Sequence, residues 1–441
     1  MTITELRQSA RQIWTAGLQR ANPATCLRQT LRHSDGVLFV GGKQYPVRGR
    51  LFVIGTGKAS ARMAQEVESI LGDLITAGLV VTKYGHRLPC ERVEVVEAGH
   101  PIPDDSGIRA VERTREMISS LTSDDIVLCL ISGGGSALWP EPAGEITLAE
   151  KQEVTSLLLR AGATIRELNA VRKHLSAVKG GQLARFAAPA QVISLIMSDV
   201  IGDPLDFIAS GPTAPDTTSF SDALATVQKY GLKAPDAVVY RLQSGSRGLL
   251  PETPKPGDPV FNKVENLVIA NNRLVIDAAK EKALSLGFNT LILGTEVEGE
   301  AKDIARFFAA IAREIGSTGN PVATPACILA AGETTVTVRG HGLGGRNQEM
   351  ALAWAISMAS MPSGAPSCFA SVATDGTDGP TNAAGGLVDP LTCSRAVELG
   401  LSPTKYLRSN DSSNFLRSTG DLIVTGPTQT NLMDLQILLV G

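Results

Sequence analysis

In LFVIGTGKAS, residues 51 to 60, an apolar run meets Gly55 and Gly57 and then delivers a lysine, Lys58, at the head of an amphipathic stretch. Exposed amides and the helix dipole at such a position favour an anion. A charge-assisted contact from the ammonium adds about 1.5–3 kcal/mol. The same glycines could form a dinucleotide turn, which needs an acid at the end of the next strand to hold the ribose hydroxyls. That strand is GLVVTKYG, and it offers Lys83 instead, a residue that argues against NAD and leaves NADP open. In LCLISGGGSALWP, residues 128 to 140, Gly133, Gly134 and Gly135 precede Ser136, and successive glycine amides can cup phosphate oxygens while the hydroxyl adds a donor. In HGLGGRNQE, residues 341 to 349, Arg346 enters a helix start after glycines, suited to bidentate contact with carboxylate or phosphate. The plain alternatives are a solvated lysine, a mobile turn and a surface ion pair.

Acids end two further apolar runs: Asp199 and Asp203 in MSDVIGDP, Asp375 and Asp378 in ATDGTDG. At strand ends they could hold Mg²⁺ or accept a proton from a substrate hydroxyl, and equally they could form turns and caps. His100 in a proline turn, Asn271 before a helix and Glu333 after a strand are weaker candidates of the same kind. In SNDSSNF, 409 to 415, helix capping is the simpler reading.

The elements that must position these groups alternate. Strand-type runs at 50–55, 78–82, 93–99, 125–132 and 192–199 are separated by helical stretches at 57–72, 104–120 and 147–186. Such alternation signals parallel strands with crossover helices. The segment 244–259, with four prolines and three glycines, breaks the pattern. Beyond it, strands are expected at 265–270, 289–294, 326–332, 334–340, 368–376 and 421–426, with helices at 272–287, 298–316 and 345–360. The reading is α/β: two Rossmann-like domains, 1–245 and 260–441, with mostly parallel sheets and an active-site cleft between them.

A formal net charge of -3 without runs of like charge leaves no footprint for nucleic acid or a membrane surface, so small molecules are the expected ligands. Six cysteines without CxxC spacing suggest neither zinc nor a disulfide framework. The first twenty residues lack an apolar core for secretion, and no apolar stretch reaches the roughly 18 residues of a membrane span. A cytoplasmic location is expected. The oligomeric state stays open, with a homodimer as the candidate assembly.

Taken together, GTGKAS, EAGHPIPDDSG, SGGGSA, IRELNAVRKHLSAVKGGQLA, SDVIGDPLDFIASGPTAPD, ANN, GET, GHGLGGRNQE and ATDGTDGPTNAAGG resemble, in order and over nearly the whole chain, the class II glycerate 2-kinases with their C-terminal MOFRL domain. The resemblance implies ATP- and Mg²⁺-dependent phosphorylation of D-glycerate at its 2-hydroxyl, giving 2-phosphoglycerate and ADP. It makes Lys58, Arg346 and Asp199 the expected catalytic residues, with Asp199 and Asp203 as metal ligands. Gly55, Gly57, Gly133, Gly134, Gly135, Ser136, Asn271, Glu333, Asp375 and Asp378 are then expected to bind substrate or nucleotide. Some members with these motifs carry the name hydroxypyruvate reductase, against which Lys83 speaks. A nicotinamide-linked reductase and a noncatalytic sugar-acid sensor are the alternatives.

Overall fold

The structure, a computed structural model, describes residues 1–360 and 364–441. Its chain divides into two compact units: Cys26–Ile269, and Met1–Thr25 together with Ala270–Gly441. The chain opens with helix α1 (Ile3–Arg20), begun by a capping box between Thr2 and Glu5. Its buried stripe of Leu6, Ala10, Ile13 and Gly17 is covered by elements that begin only at Asn272. The helix therefore leaves the N-terminal half in which the sequence places it, because only the later unit offers it an apolar face.

In the contiguous unit, β1 (Leu51–Thr56), β2 (Ile75–Lys83), β3 (Val93–Ala98), β4 (Ile126–Ile131), β5 (Gln191–Met197) and β6 (Val264–Ala270) form one sheet in the order β3-β2-β1-β4-β5-β6. The pairs from β3 through β5 are parallel. Every residue of β1 and β4 is buried, which explains their unbroken apolar runs: both faces of the sheet are covered. Helices α2 (Ser60–Leu71) and α3 (Asp105–Met117) belong to these crossovers. This is the strand order of the doubly wound dinucleotide folds, and its direction reverses between β1 and β4, where a crevice opens beyond the carboxyl ends.

The helical region expected at 147–186 is broken, with α4 (Leu148–Arg160) and α5 (Ile165–His174) each started by its own threonine–glutamate capping box. With α6 (Phe220–Lys229) and α7 (Asp236–Ser246) they enclose a separate apolar cluster that includes Leu158, Val171, Phe220 and Leu242.

The other unit holds β7 (Asn289–Val297), β8 (Ala326–Gly332), β9 (Ser367–Ala373), β10 (Gly385–Val388), β11 (Leu422–Ile423) and β12 (Asp434–Val440), ordered β7-β8-β12-β9-β10-β11. Here the expectation of a mostly parallel sheet gives way to a mixed one. Only β7 and β8 are parallel; β12 runs antiparallel to both neighbours, and β9, β10 and β11 continue antiparallel. The strand expected at 334–340 is a single bridge from Thr335 to Glu300, with Val338 exposed. The last expected strand shrinks to Leu422–Ile423. Helices α8 (Asn272–Ser285), α9 (Ala301–Thr318) and α10 (Arg346–Ser360) complete the layers. The third of these is buried along most of its length, with Trp354 stacked on Phe369 at 5.6 Å between ring centroids.

Candidate active site

The two glycine motifs of the contiguous unit meet where its strand order reverses. After β1 the chain turns through Gly57, whose φ of 128° is left to glycine and whose absent Cβ would lie 2.2 Å from Ser132 Oγ. After β4 it enters the glycine loop, and the two loops are tied directly. The Lys58 amide donates to Gly133 O at 2.8 Å, and the Ala59 amide donates to Ser132 Oγ at 3.0 Å. Gly134, in the left-handed region at φ 83°, would with a Cβ meet His100 Nε2 at 2.8 Å and Lys58 Cγ at 3.4 Å. Lys58, His100 and Gly134 therefore share one small volume. Gly55 lies within β1 against Leu130, and Gly135 lies against Thr56. Both serve close packing beside the turn.

Ser136 joins this loop to the segment after β5. Its Oγ lies 2.9 Å from Ser210 Oγ, which donates to Asn169 Oδ1 of α5 at 3.0 Å. Ala209 and Ser210 hold left-handed φ of 50° and 61°, followed by Gly211 at 62°. Such angles cost non-glycine residues about 1–3 kcal/mol each and persist where neighbours over-determine them. Here the neighbours are named: Gly180 and Gly181 donate their amides to Ser210 O and Gly211 O at 3.0 and 2.7 Å. Buried Lys173 braces the same segment through Asp206 at 2.9 Å and Asp216 at 3.1 Å. None of Asn169, Lys173, Ser210 or Asp216 stands out in the sequence as a site residue. Their only signal is membership of the long runs IRELNAVRKH and IASGPTAPD.

Asp199 and Asp203 lie in this segment, both half-buried, Asp203 with φ 53°. Among the described residues no group of three or more His, Cys, Asp or Glu side chains is gathered as for a metal. Two carboxylates suit Mg²⁺ that takes its remaining ligands from phosphates and water.

In the other unit Arg346 opens α10 in a fixed pose. Its Nε and one terminal nitrogen donate to the two oxygens of Asp434 at 2.5 and 3.0 Å, and the other donates to Glu333 at 2.6 Å. Burial pushes the Asp434 carboxyl up to about 6, and the Arg346 guanidinium against it pulls the other way. Burial works against the guanidinium as well, and Asp434 and Glu333 outweigh it, holding Arg346 above its ordinary range. Asp434, at the start of β12, is invisible to a reading that assigns no element there.

Asp378 is buried and closes the head of α10. Its oxygens accept the amides of Asn347 at 3.1 Å and Gln348 at 2.8 Å, together with Gln348 Nε2 at 3.0 Å. Asp375 receives the Thr377 amide and hydroxyl, each at 2.9 Å, as a side-chain turn. Asn271 caps α8 by accepting the Leu274 amide at 3.2 Å. Of the residues singled out, the structure brings together Lys58, His100 and the 133–136 loop in one unit, and Arg346 with Glu333 in the other.

Fold and site define an α/β protein that presents cationic side chains and glycine loops at the carboxyl ends of its strands. Residues 9–243 match the family described as "Domain of unknown function (DUF4147)", and residues 326–434 match the MOFRL family. A protein named D-glycerate 2-kinase from Thermotoga maritima is 45% identical over 392 residues, 89% of this chain and 91% of that one. A glycerate 2-kinase from Pyrococcus horikoshii is 40% identical over 443 residues, covering 100% and 98% of the two chains. A relative from Agrobacterium vitis, 42% identical over 99% of this chain and 94% of its own, carries a provisional name as a hydroxypyruvate reductase. The crystal structure of the glycerate kinase from Thermotoga maritima superimposes with a TM-score of 0.88 at 40% identity, over 99% of this chain and 100% of that one. The chain belongs to the glycerate 2-kinase family, the MOFRL match lying in its C-terminal part.

Proposed function

We propose that the chain transfers the γ-phosphoryl group of ATP to the 2-hydroxyl of D-glycerate, giving 2-phosphoglycerate and ADP. The observation that carries this is the convergence of Lys58 and the 133–136 loop at the reversal of strand order, a place that suits a phosphorylated ligand. Relatives named glycerate 2-kinase support the acceptor and the reaction.

Phosphoryl transfer asks the protein mainly for positioning and charge neutralisation. A rate enhancement worth about 8–23 kcal/mol exceeds any single contact, so several must act together. Lys58 is assigned to the transferring group or the glycerate carboxylate, and Arg346 to the other of these anions. Arg346 reaches its ligand pre-oriented by Asp434, which lowers the entropy lost on binding. The 133–136 loop receives nucleotide phosphates. Asp199 orients the attacking hydroxyl or, with Asp203, helps to hold Mg²⁺, which when bound neutralises phosphate charge.

Lys58→Met keeps length and removes charge. Turnover with saturating glycerate and ATP is expected to fall by at least 100-fold with the melting temperature unchanged, and near-normal turnover would sink the assignment. The provisional name of the Agrobacterium vitis relative supplies a second reading, reduction of hydroxypyruvate. Lys83 at the end of β2 stands where a ribose-binding acid is needed. ADP release from glycerate with Mg-ATP, and no oxidation of NADH or NADPH with hydroxypyruvate, is the expected pair of results. Phosphorus NMR of the product distinguishes the 2- from the 3-phosphate.

A further inference from the structure

A cavity of about 550 Å³ in the contiguous unit lies among the 100–103 turn, the glycine loop after β4, and helices α4 and α5. Lys151, Arg172 and Lys179 give it a basic wall beside Gly134 and Ser136, while Ile102, Pro140 and Leu159 are among its apolar residues. The two ammonium groups are buried and donate to neutral backbone carbonyls, Lys151 to Pro140 O at 2.7 Å and Lys179 to Trp139 O at 2.6 Å. Among the described residues none of the three cations forms an ion pair with a carboxylate; nearby Glu141 is engaged by Arg115 at 2.5 Å.

Without a carboxylate partner, burial disfavours the charged form of these groups. Burial pulls the Lys151 ammonium down to about 7, with Arg172 adding repulsion, and pulls Lys179 well below its ordinary range. A bound polyanion would offset that cost. A three-carbon acid with one charge would leave most of the volume empty, whereas the volume falls within the roughly 300–1,000 Å³ of sites for drug-sized ligands.

We propose that this cavity is a nucleotide site, with the phosphates against Lys151, Arg172 and Lys179 beside Gly134 and Ser136, and the base in the sector of Ile102, Pro140 and Leu159. The choice of a nucleotide over other polyanions rests on the phosphotransfer reading above.

The test is calorimetric titration of the full-length protein with ADP and, separately, with D-glycerate, in wild type, Arg172→Met and Leu159→Glu. The first variant removes a half-buried charge, and the second places a repelling charge at an exposed rim residue, so the fold is expected to survive and is checked by thermal melting. ADP affinity is expected to fall at least tenfold in Arg172→Met and several-fold in Leu159→Glu, with glycerate affinity within twofold of wild type. Loss of glycerate affinity with ADP binding intact would make the cavity an acceptor site and overturn the proposal, as would unchanged binding of both or no ADP binding by wild type. ADP binding that depends on Arg172 in a protein unable to phosphorylate glycerate would retain the site and remove the kinase reading instead.

Discussion

A lysine ammonium sealed among backbone carbonyls gives up its proton far more readily than one in water. Lys151, with its pKa near 7 through burial and the neighbouring Arg172, is neutral in much of the native protein above that pH, while the unfolded chain keeps the proton until about 10.5. Between those values the unfolded state binds more protons, so stability rises with pH. Lys151→Met removes this contribution: melting temperatures followed from pH 7 to 9.5 should climb less steeply in the variant than in wild type. Identical slopes would show that Lys151 does not titrate in this range. Lys58 was legible in the sequence because its glycines, its helix and the following strand lie within about thirty residues. Arg172 and Lys179 were not, because what makes them unusual is the absence of a carboxylate among neighbours that only the folded helices supply.

At the scale of elements, α10 depends on a residue outside itself. Asp378 caps it from a loop thirty residues away, accepting two first-turn amides and the Gln348 side chain. Asp378→Ala should destabilise the protein by about 1–2 kcal/mol through loss of a buried cap, and Asp378→Asn by less because one acceptor oxygen remains. Urea denaturation of the two variants checks the order. A capping aspartate next to its helix is readable; one that reaches it through tertiary folding is not. Period alone misled in the opposite way at 334–340, where TTVTVRG alternates as a strand does but finds one bridge, at Thr335. Conversely, DLQILLV is seven residues of strand whose destination, the middle of a sheet, nothing local announces.

For the molecule as a whole, both α/β units were legible, since long apolar runs alternating with amphipathic helices survive any rearrangement of strand order. The membership of α1 was not, because its partners follow after so long an interval. One buried network fixes it. Arg7 donates to Asp389 at 2.7 Å and Asp421 at 2.8 Å, and Arg395 reaches the same two carboxylates at 3.0 Å each. Arg7→Met leaves one guanidinium for two carboxylates that are each 1% exposed. A loss of about 2–4 kcal/mol is expected, measured as a lowered denaturation midpoint. Arg395→Met, removing the more exposed partner, should cost less.

The place of β12 between β8 and β9 also orders events during protein synthesis. A ribosome makes the strands it separates long before it makes β12, so the growing chain carries two unfilled edges while the contiguous unit already has all its residues. Helix α1, translated long before the partners that cover it, must wait for them. The unit that joins segments so far apart in the chain is thus the one whose nascent form most needs shielding from other chains.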